Sequence, residues 1–143
     1  MEQLKTLLCK NEVRGVARSC QGEVRLFQRK GIIDLYELVT NEPGFLLDGM
    51  LADRVIGRGA ALLAIKAGVS EVYAELISQP ALEAFKQKNI KVAYSTLTPN
   101  IINRLGTGTC PVEQLTTNVD SPDEAYELIG KFLQEQKAKQ KFK

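Results

Sequence analysis

The sequence contains no histidine and no tryptophan, and only 6% of its 143 residues are aromatic. Histidine is a common zinc ligand and the usual general base of serine and cysteine hydrolases. Its absence excludes histidine-ligated zinc sites and Ser-His or Cys-His catalytic pairs within this chain. The three cysteines, Cys9, Cys20 and Cys110, lack the paired spacing of a thiolate zinc site. We therefore expect neither a metal nor a cofactor.

Long apolar runs are also missing. No stretch approaches the roughly 18 to 20 apolar residues that a membrane span needs, so we expect no membrane partner. An odd number of widely spaced cysteines predicts reduced thiols and not a disulfide framework, which favours a cytoplasmic location.

Strong net charge is absent as well, since the formal charge is only +2. The excess of lysine lies in the C-terminal tail, at about residues 134–143, which contains a single aromatic residue, Phe142. Tails that bind nucleic acid interleave basic and stacking residues. We interpret this tail as a solvated, fraying helix end and do not expect a nucleic-acid partner. The sequence is compatible with a homo-oligomer.

A single domain at residues 1–143 fits the length and the content of 44% apolar and 25% charged residues. Helical spacing of apolar residues predicts helices at 2–9, 31–39, 53–67, 80–88 and from 121 onward. Alternation of apolar and polar residues predicts strands at 13–20, 23–28, 45–52, 71–77 and 91–97. This order indicates the α/β class: a three-layer mixed β-sheet flanked by helices, with an antiparallel hairpin at one side and parallel crossovers after it.

Turn and capping residues set the expected boundaries. Gly22 predicts a tight hairpin turn, Gly68 a helix end and Pro80 a first helical turn. A capping box begins at Ser121, where proline and two acids follow. Asp53 is expected to cap the helix at 53–67, an interpretation that we favour over a catalytic role for it. Cys9 and Cys20 are expected to fill the core.

Residues 71–84, EVYAELISQPALEA, resemble the strand and helix that carry the P-C-x-x-C motif in the cytidine-deaminase-like superfamily. Nearly the whole chain resembles a small prokaryotic family of uncharacterised proteins assigned to that fold, most recognisably at 53–61 and 103–113. The resemblance implies a cytidine-deaminase-like fold with a cleft between two helix starts. Zinc deaminases place His or Cys, and then Glu, at the first start and two cysteines at the second. Here these positions read Ile56-Gly57-Arg58 and Pro80-Ala81-Leu82-Glu83-Ala84, so the resemblance does not extend to the zinc ligands.

The two helix starts are candidate anion sites, because unpaired N–H groups and the helix dipole favour negative charge there. Gly57 and Gly59 would allow close approach of a phosphate, Arg58 would pair with it, and Ser78 begins the second helix. The alternative is that the glycines permit tight helix packing around an exposed arginine.

The segment 103–113, NRLGTGTCPVE, combines two glycines, two threonines, an arginine and a thiol. Amides freed by glycine form anion-binding nests, and hydroxyl groups donate to phosphate oxygens. The segment lacks the spacing and the lysine of a P-loop. The ligand-binding candidates in it are Asn103, Arg104, Thr107, Gly108 and Thr109.

Catalytic candidates are Cys110, Glu113 and Asp53. A thiol at a helix start has a lowered pKa, and Arg104 or Glu113 would have to activate it in place of histidine. We infer a metal-free, cytidine-deaminase-like domain that binds a nucleotide or another phosphorylated small molecule. The alternatives are a non-zinc enzyme that uses Cys110 and a regulatory or interaction protein with a vestigial cleft, so the sequence leaves open whether the protein is an enzyme.

Overall fold

The apolar periodicities fold into alternating helices and strands in the computed structural model, which describes residues 1–10, 12–29, 32–99, 111–116 and 118–141. The helices are α1 (Glu2–Lys10), α2 (Ile33–Asn41), α3 (Arg58–Ala67), α4 (Gln79–Gln87), α5 (Pro111–Thr116) and α6 (Pro122–Lys141). The strands are β1 (Gly15–Arg18), β2 (Val24–Phe27), β3 (Met50–Ile56), β4 (Glu71–Ser78) and β5 (Lys91–Thr98). The predicted order of helices and strands is confirmed, apart from the short helix α5.

The five strands form one mixed sheet in the order β2-β1-β3-β4-β5. β1 is antiparallel to both of its neighbours, whereas β3, β4 and β5 are parallel to one another. The predicted hairpin at one side of the sheet and the parallel crossovers after it are therefore both confirmed.

Each face of the sheet carries helices, although β5 at one edge is mostly exposed. On one face, Leu4 and Leu8 of α1 pack with Val16 and Ala52 of the strands. On the other face, buried side chains of α2, α3, α4 and α6 pack against the strands in the larger apolar cluster. The result is three layers, with the parallel strands feeding directly into α3 and α4 on the larger side.

The boundary between β3 and α3 differs from the sequence prediction. Residues 43–48 form turns, β3 begins at Met50, and Asp53 lies inside this strand and not at a helix start. The N-cap of α3 is Gly57, which has extended backbone and makes no side-chain capping hydrogen bond. The prediction that Asp53 caps the helix was wrong, because the apolar pairs Leu51-Ala52 and Val55-Ile56 continue the strand across it.

The predicted turn residues behave as expected. Gly22 and Gly68 have positive φ angles of 93° and 84°, which glycine adopts without a Cβ clash. Gly68 ends α3, where its amide donates to the carbonyl groups of Ala64 and Ile65. In the capping box, Ser121 Oγ accepts a hydrogen bond from the Glu124 amide at 3.4 Å.

The expectation that two cysteines fill the core was wrong. Cys9 and Cys20 are exposed. The buried stripe of α1 consists of Leu4 and Leu8, and Cys9 lies one position beyond it. Cys20 lies in the β1–β2 turn.

α6 continues as a helix to Lys141, so the described part of the tail is helical. Within the described ranges, no helix combines the length and the hydropathy that a membrane crossing requires.

Candidate functional site

The carboxyl ends of the parallel strands bring several predicted site residues to one edge of the sheet. β3 leads into Gly57 and α3, and β4 ends at Ser78, which begins α4. β5 ends at Thr98 on the same edge, because its register with β4 is parallel throughout. Asp53 is the middle residue of β3 and lies three residues inside the edge that these strand ends form. We call it the carboxyl edge.

Arg58 is the first residue of α3. Its side chain binds backbone carbonyl groups and not the phosphate that the sequence analysis expected. Its Nε donates to the carbonyl oxygen of Thr116 at 3.0 Å, and Nη2 donates to that of Val119 at 2.5 Å. Nη2 also pairs with the exposed Asp120 at 2.9 Å, while the Arg58 side chain itself is only 13% exposed. The guanidinium therefore caps the end of α5 and fastens it to α3, which favours the packing alternative for this arginine.

Gly59 also allows α5 to pack closely against α3. A Cβ added at this position would collide with Cγ1 of Val112 on α5 and would lie 3.4 Å from Cδ1 of Ile129 on α6. The glycine is needed because two helices approach the first turn of α3 closely. The start of α3 is thus partly covered by α5.

Substituting Gly59 by alanine is expected to destabilise the fold by about 1 to 3 kcal/mol, since the new methyl group overpacks the contact with Val112. Gly44→Ala is the matched control, because a Cβ at Gly44 meets nothing within 4 Å. Urea denaturation of the two variants compares them directly. Equal stability of both variants would contradict close docking of α5.

Ser78 is fully buried and caps α4, where its Oγ accepts a hydrogen bond from the Ala81 amide at 3.2 Å. The positions that resemble the P-C-x-x-C motif are filled by apolar packing, since Ala81, Leu82 and Ala84 are all buried. In the described residues, no three Cys, Asp or Glu side chains converge as a metal site would require.

Asp53 lies at the centre of a row that crosses the whole sheet. Its register partners are Gly15 on β1 and Ala74 on β4, and the row continues to Phe27 on β2 and Tyr94 on β5. Residues directly opposite one another on neighbouring strands share a face of the sheet. Asp53 is thus the central polar side chain of a row whose nearest members are small and whose ends are aromatic.

Gly15 makes room for the Asp53 carboxyl group. A Cβ at Gly15 would lie 3.1 Å from Asp53 Oδ2 and 3.0 Å from Cδ2 of Phe27. The carboxyl group, the phenyl ring and the Ala52 carbonyl oxygen therefore all border the space that a side chain at position 15 would occupy. A larger residue there would require at least one of them to move.

Burial raises the pKa of Asp53 to about 7. The amides of Val55 and Arg54 and the charges of Arg14 and Arg54 act in the opposite direction, but they do not offset the loss of solvation. The hydrogen bond from the Val55 amide to Oδ1 is long, at 3.4 Å. Asp53 nevertheless keeps some accessible surface. A carboxyl group whose pKa is shifted towards neutrality marks a candidate functional site.

Arg14 is a charged residue near Asp53 in the fold that the sequence analysis did not single out. Its amide donates to the Phe27 carbonyl at 2.7 Å and its carbonyl accepts from the Arg54 amide at 3.1 Å, which fixes it at the start of β1. Its charge acts on Asp53. Among the described residues, its guanidinium has no hydrogen-bonding or ion-pair partner. No motif indicates Arg14, because its effect on Asp53 depends on the pairing of β1 with β3.

A polar junction fixes the end of β2 beside this row. Asp34 of α2 accepts hydrogen bonds from the amides of Gln28 and Arg29 at 2.7 and 2.8 Å and from Arg29 Nε at 2.6 Å. Arg29 also pairs with Glu37. These bonds hold the chain immediately after Phe27. They therefore fix the position of the β2 end of the row.

Several sequence candidates lie outside the described residues: Asn103, Arg104, Thr107, Gly108, Thr109 and Cys110. Glu113 lies on α5. The described chain leaves the sheet at Thr98 on the carboxyl edge and is described again at α5, which contacts the start of α3.

Comparison with known proteins identifies relatives but no activity. The family model described as TM1506, a domain of unknown function (DUF1893), matches residues 3–133. The crystal structure of a DUF1893 family protein (TM1506) from Thermotoga maritima superposes with a TM-score of 0.82 and 22% sequence identity, covering 90% of this chain and 86% of that one. This likeness shows a shared fold. No curated protein matches the chain.

Proposed function

The chain belongs to the DUF1893 family of domains of unknown function, and from this premise we propose that it is a metal-free, cytidine-deaminase-like domain that binds a nucleotide or another phosphorylated small molecule at its carboxyl edge. The strand order and the direct passage from β3 and β4 into α3 and α4 support the deaminase-like assignment. Two helix starts then face the ligand from one edge.

The observation that carries the proposal is the combination of Arg14 and Asp53. Arg14 has no hydrogen-bonding or ion-pair partner among the described residues, and its charge acts on Asp53 in the middle of β3, whose pKa burial raises to about 7. Arginine is the side chain best suited to phosphate, because its planar donors match two oxygens at once. A ligand that carries a phosphate would supply the partner that Arg14 lacks among the described residues.

The earlier candidates take different parts in this proposal. Arg58 and Gly59 position α5 over the carboxyl edge and act on the ligand through it. Asn103, Arg104, Thr107, Gly108 and Thr109 keep their expected role as phosphate and ribose contacts. Gly57 and Ser78 shape the two helix starts.

Arg14→Ala is expected to weaken binding of a nucleoside monophosphate about tenfold, the loss of one charge-assisted hydrogen-bonding group. Calorimetric titration with AMP, CMP, GMP and UMP, each compared with its nucleoside, measures the effect. The nucleosides should bind almost equally to the two proteins, since they carry no phosphate for Arg14.

Lys88→Ala is the matched control, because it also removes one positive charge, but from an exposed residue at the far end of α4. It should leave the affinity unchanged. Failure of all four monophosphates to bind the unaltered protein would refute the proposed function. An equal loss in both variants would point to general electrostatic attraction and not to a site at Arg14.

A further inference from the structure

A groove of about 220 Å³ lies between the edge strand β2 and the helix α2. Three consecutive residues of the strand, Arg25, Leu26 and Phe27, line it. Consecutive residues of a strand point to opposite faces, so a groove lined by all three follows the edge of β2. Within the sheet β2 has β1 as its neighbour on one side only. The backbone on its other side can therefore accept a further strand.

The hydrogen bonds of β1 show which backbone groups of β2 face this outer edge. The Ser19 amide donates to the Glu23 carbonyl at 2.8 Å, so the odd-numbered residues of β1 and β2 bond one another. The Arg54 amide donates to the Arg14 carbonyl at 3.1 Å, so the even-numbered residues of β1 bond β3. Leu26 of β2 therefore directs its N–H and C=O groups outward. Among the described residues, neither group has a hydrogen-bonding partner.

The outer edge of β2 is closed on both sides of Leu26. The Val24 carbonyl accepts a hydrogen bond from Arg25 Nη1 at 3.2 Å, and the Gln28 amide donates to Asp34 Oδ2 at 2.7 Å. Such closures limit unspecific pairing of edge strands. Between them, Leu26 presents one donor and one acceptor to an added backbone, next to a side chain that is 43% exposed.

The groove beside Leu26 has more acidic than basic groups. Asp34, Glu37 and Glu42 contribute three carboxyl groups to its lining, and Arg25 contributes one guanidinium group. Glu42 binds Arg25 at 2.8 and 3.2 Å, while Asp34 and Glu37 share Arg29. Two arginines thus face three carboxylates, which leaves an excess of one negative charge. Each carboxylate can accept about four hydrogen bonds, so the groove can also bind a cationic donor.

We propose that the groove docks an extended peptide segment of a partner protein by strand addition to β2, with an apolar residue opposite Leu26 and a lysine or arginine next to it. The apolar residue exchanges both backbone hydrogen bonds with Leu26, and its side chain packs on the exposed Leu26 side chain. The basic residue points to the other face, into the groove with its excess of carboxylates. The inference does not depend on binding of a nucleotide at the carboxyl edge.

The test is an amide chemical-shift titration of the nitrogen-15-labelled protein with a capped peptide of about eight residues. Valine and threonine alternate in this peptide, and lysine replaces one central threonine. We expect the Leu26 amide to shift downfield and to exchange with solvent more slowly in the complex. The amides of β5, at the other edge of the sheet, are the internal control and should not change. Shifts confined to β5, or no binding at about 1 mM peptide, would overturn the inference.

Two altered peptides separate the contribution of charge from that of backbone pairing. Glutamate in place of the lysine should weaken binding about tenfold, because it adds a like charge to the groove. Methylation of the backbone nitrogens of both valines beside the lysine removes the donors for the Leu26 carbonyl and should also weaken binding about tenfold. Equal affinity of either altered peptide and the original peptide would contradict the proposed mode of docking.

Leu26→Pro removes the outward donor from the protein. Proline is accepted in an edge strand where the N–H faces away from the sheet, so the pairing of β1 and β2 should survive. Affinity for the lysine peptide should fall about tenfold, and the matched variant Leu26→Ala, which keeps its N–H, should lose less. Unchanged affinity of a folded Leu26→Pro would overturn strand addition at this edge. If that variant does not fold, the methylated peptide decides the same point with the unaltered protein.

Discussion

Asp53→Asn is expected to raise the free energy of unfolding by about 2 to 4 kcal/mol at about pH 8. The pKa of Asp53 rises from the ordinary 3.8 to about 7 because burial penalises the charged form. Each unit of this shift corresponds to about 1.4 kcal/mol that the folded protein must spend to ionise the group. Asparagine removes this cost, while its own amide reduces the gain because it too needs partners.

The sign of the pH dependence follows from the direction of the shift. The folded state holds a proton on Asp53 more tightly than the unfolded state, so the contribution of this group to stability is complete below about pH 4. It is lost as the pH rises towards about 7. The stabilising effect of Asp53→Asn should therefore be small at about pH 4 and reach its maximum above about pH 7.

Urea denaturation of both proteins at the two ends of this window checks the prediction. Asp120→Asn is a suitable control, because its side chain is 96% exposed and its substitution should give no such pH-dependent gain. If the difference between Asp53→Asn and the unaltered protein were the same at about pH 4 and about pH 8, burial could not be the cause of the effect.

Because Asp53 lowers the stability of the fold near neutral pH, we infer that it has a functional role. Ionisable groups held in unfavourable surroundings concentrate at functional sites, where stability is exchanged for reactivity or recognition. Asp53 fits this pattern, because its neighbours Gly15 and Ala74 are small and supply no compensating partner. The hydrogen-bonding positions of this carboxyl group that its neighbours leave unfilled lower the stability of the fold. The same positions are available to a ligand.

The layered α/β architecture followed from the sequence because its signals are local. Alternation of apolar residues at 71–77 and 91–97, and helical spacing at 2–9, depend only on which residues lie two or three to four positions apart. Gly22 and Gly68 likewise act through their own backbone angles. These features need no knowledge of what lies across the sheet.

The prediction of the β3–α3 boundary was wrong because the local sequence signals conflict. Asp53 is a favoured helix cap, and the alanine-rich stretch after it has helical spacing. The pairing of β3 with both β1 and β4 outweighs this preference and carries the strand through to Ile56. Strand pairing is a non-local interaction, so no pattern within the segment reports it.

The sequence analysis missed the roles of several site residues because these roles also depend on non-local contacts. Glycines around Arg58 have the form of a phosphate-binding turn, yet the arginine and Gly59 dock α5, which lies more than 50 positions away in the chain. Arg14 stands in no motif, and its charge reaches Asp53 only because β1 pairs with β3. Residue type predicted which side chains were chemically capable, and tertiary contacts decided their roles.

Arg54 joins α1 to the sheet through one guanidinium group. Nη2 donates to the Leu8 carbonyl near the end of α1 and Nε donates to the Val13 carbonyl, both at 2.7 Å. Nη1 binds Glu75 on β4 at the same distance. The side chain is 29% exposed, so this ion pair is partly shielded from solvent. Removing the arginine leaves a carboxylate and two carbonyl groups without these partners.

Arg54→Ala is therefore expected to lower the free energy of unfolding by about 2 to 3 kcal/mol, somewhat less than for a fully buried pair. Arg25→Ala provides the comparison, since Arg25 also binds a carboxylate, that of Glu42, but with 41% of its side chain exposed, so that solvent weakens the pair more. Its loss should be much smaller. Hydrogen exchange should also show faster exchange of the α1 amides in Arg54→Ala and not in Arg25→Ala, because only Arg54 contacts α1. Unchanged protection of α1 would show that the apolar contacts of Leu4 and Leu8 hold this helix without the arginine.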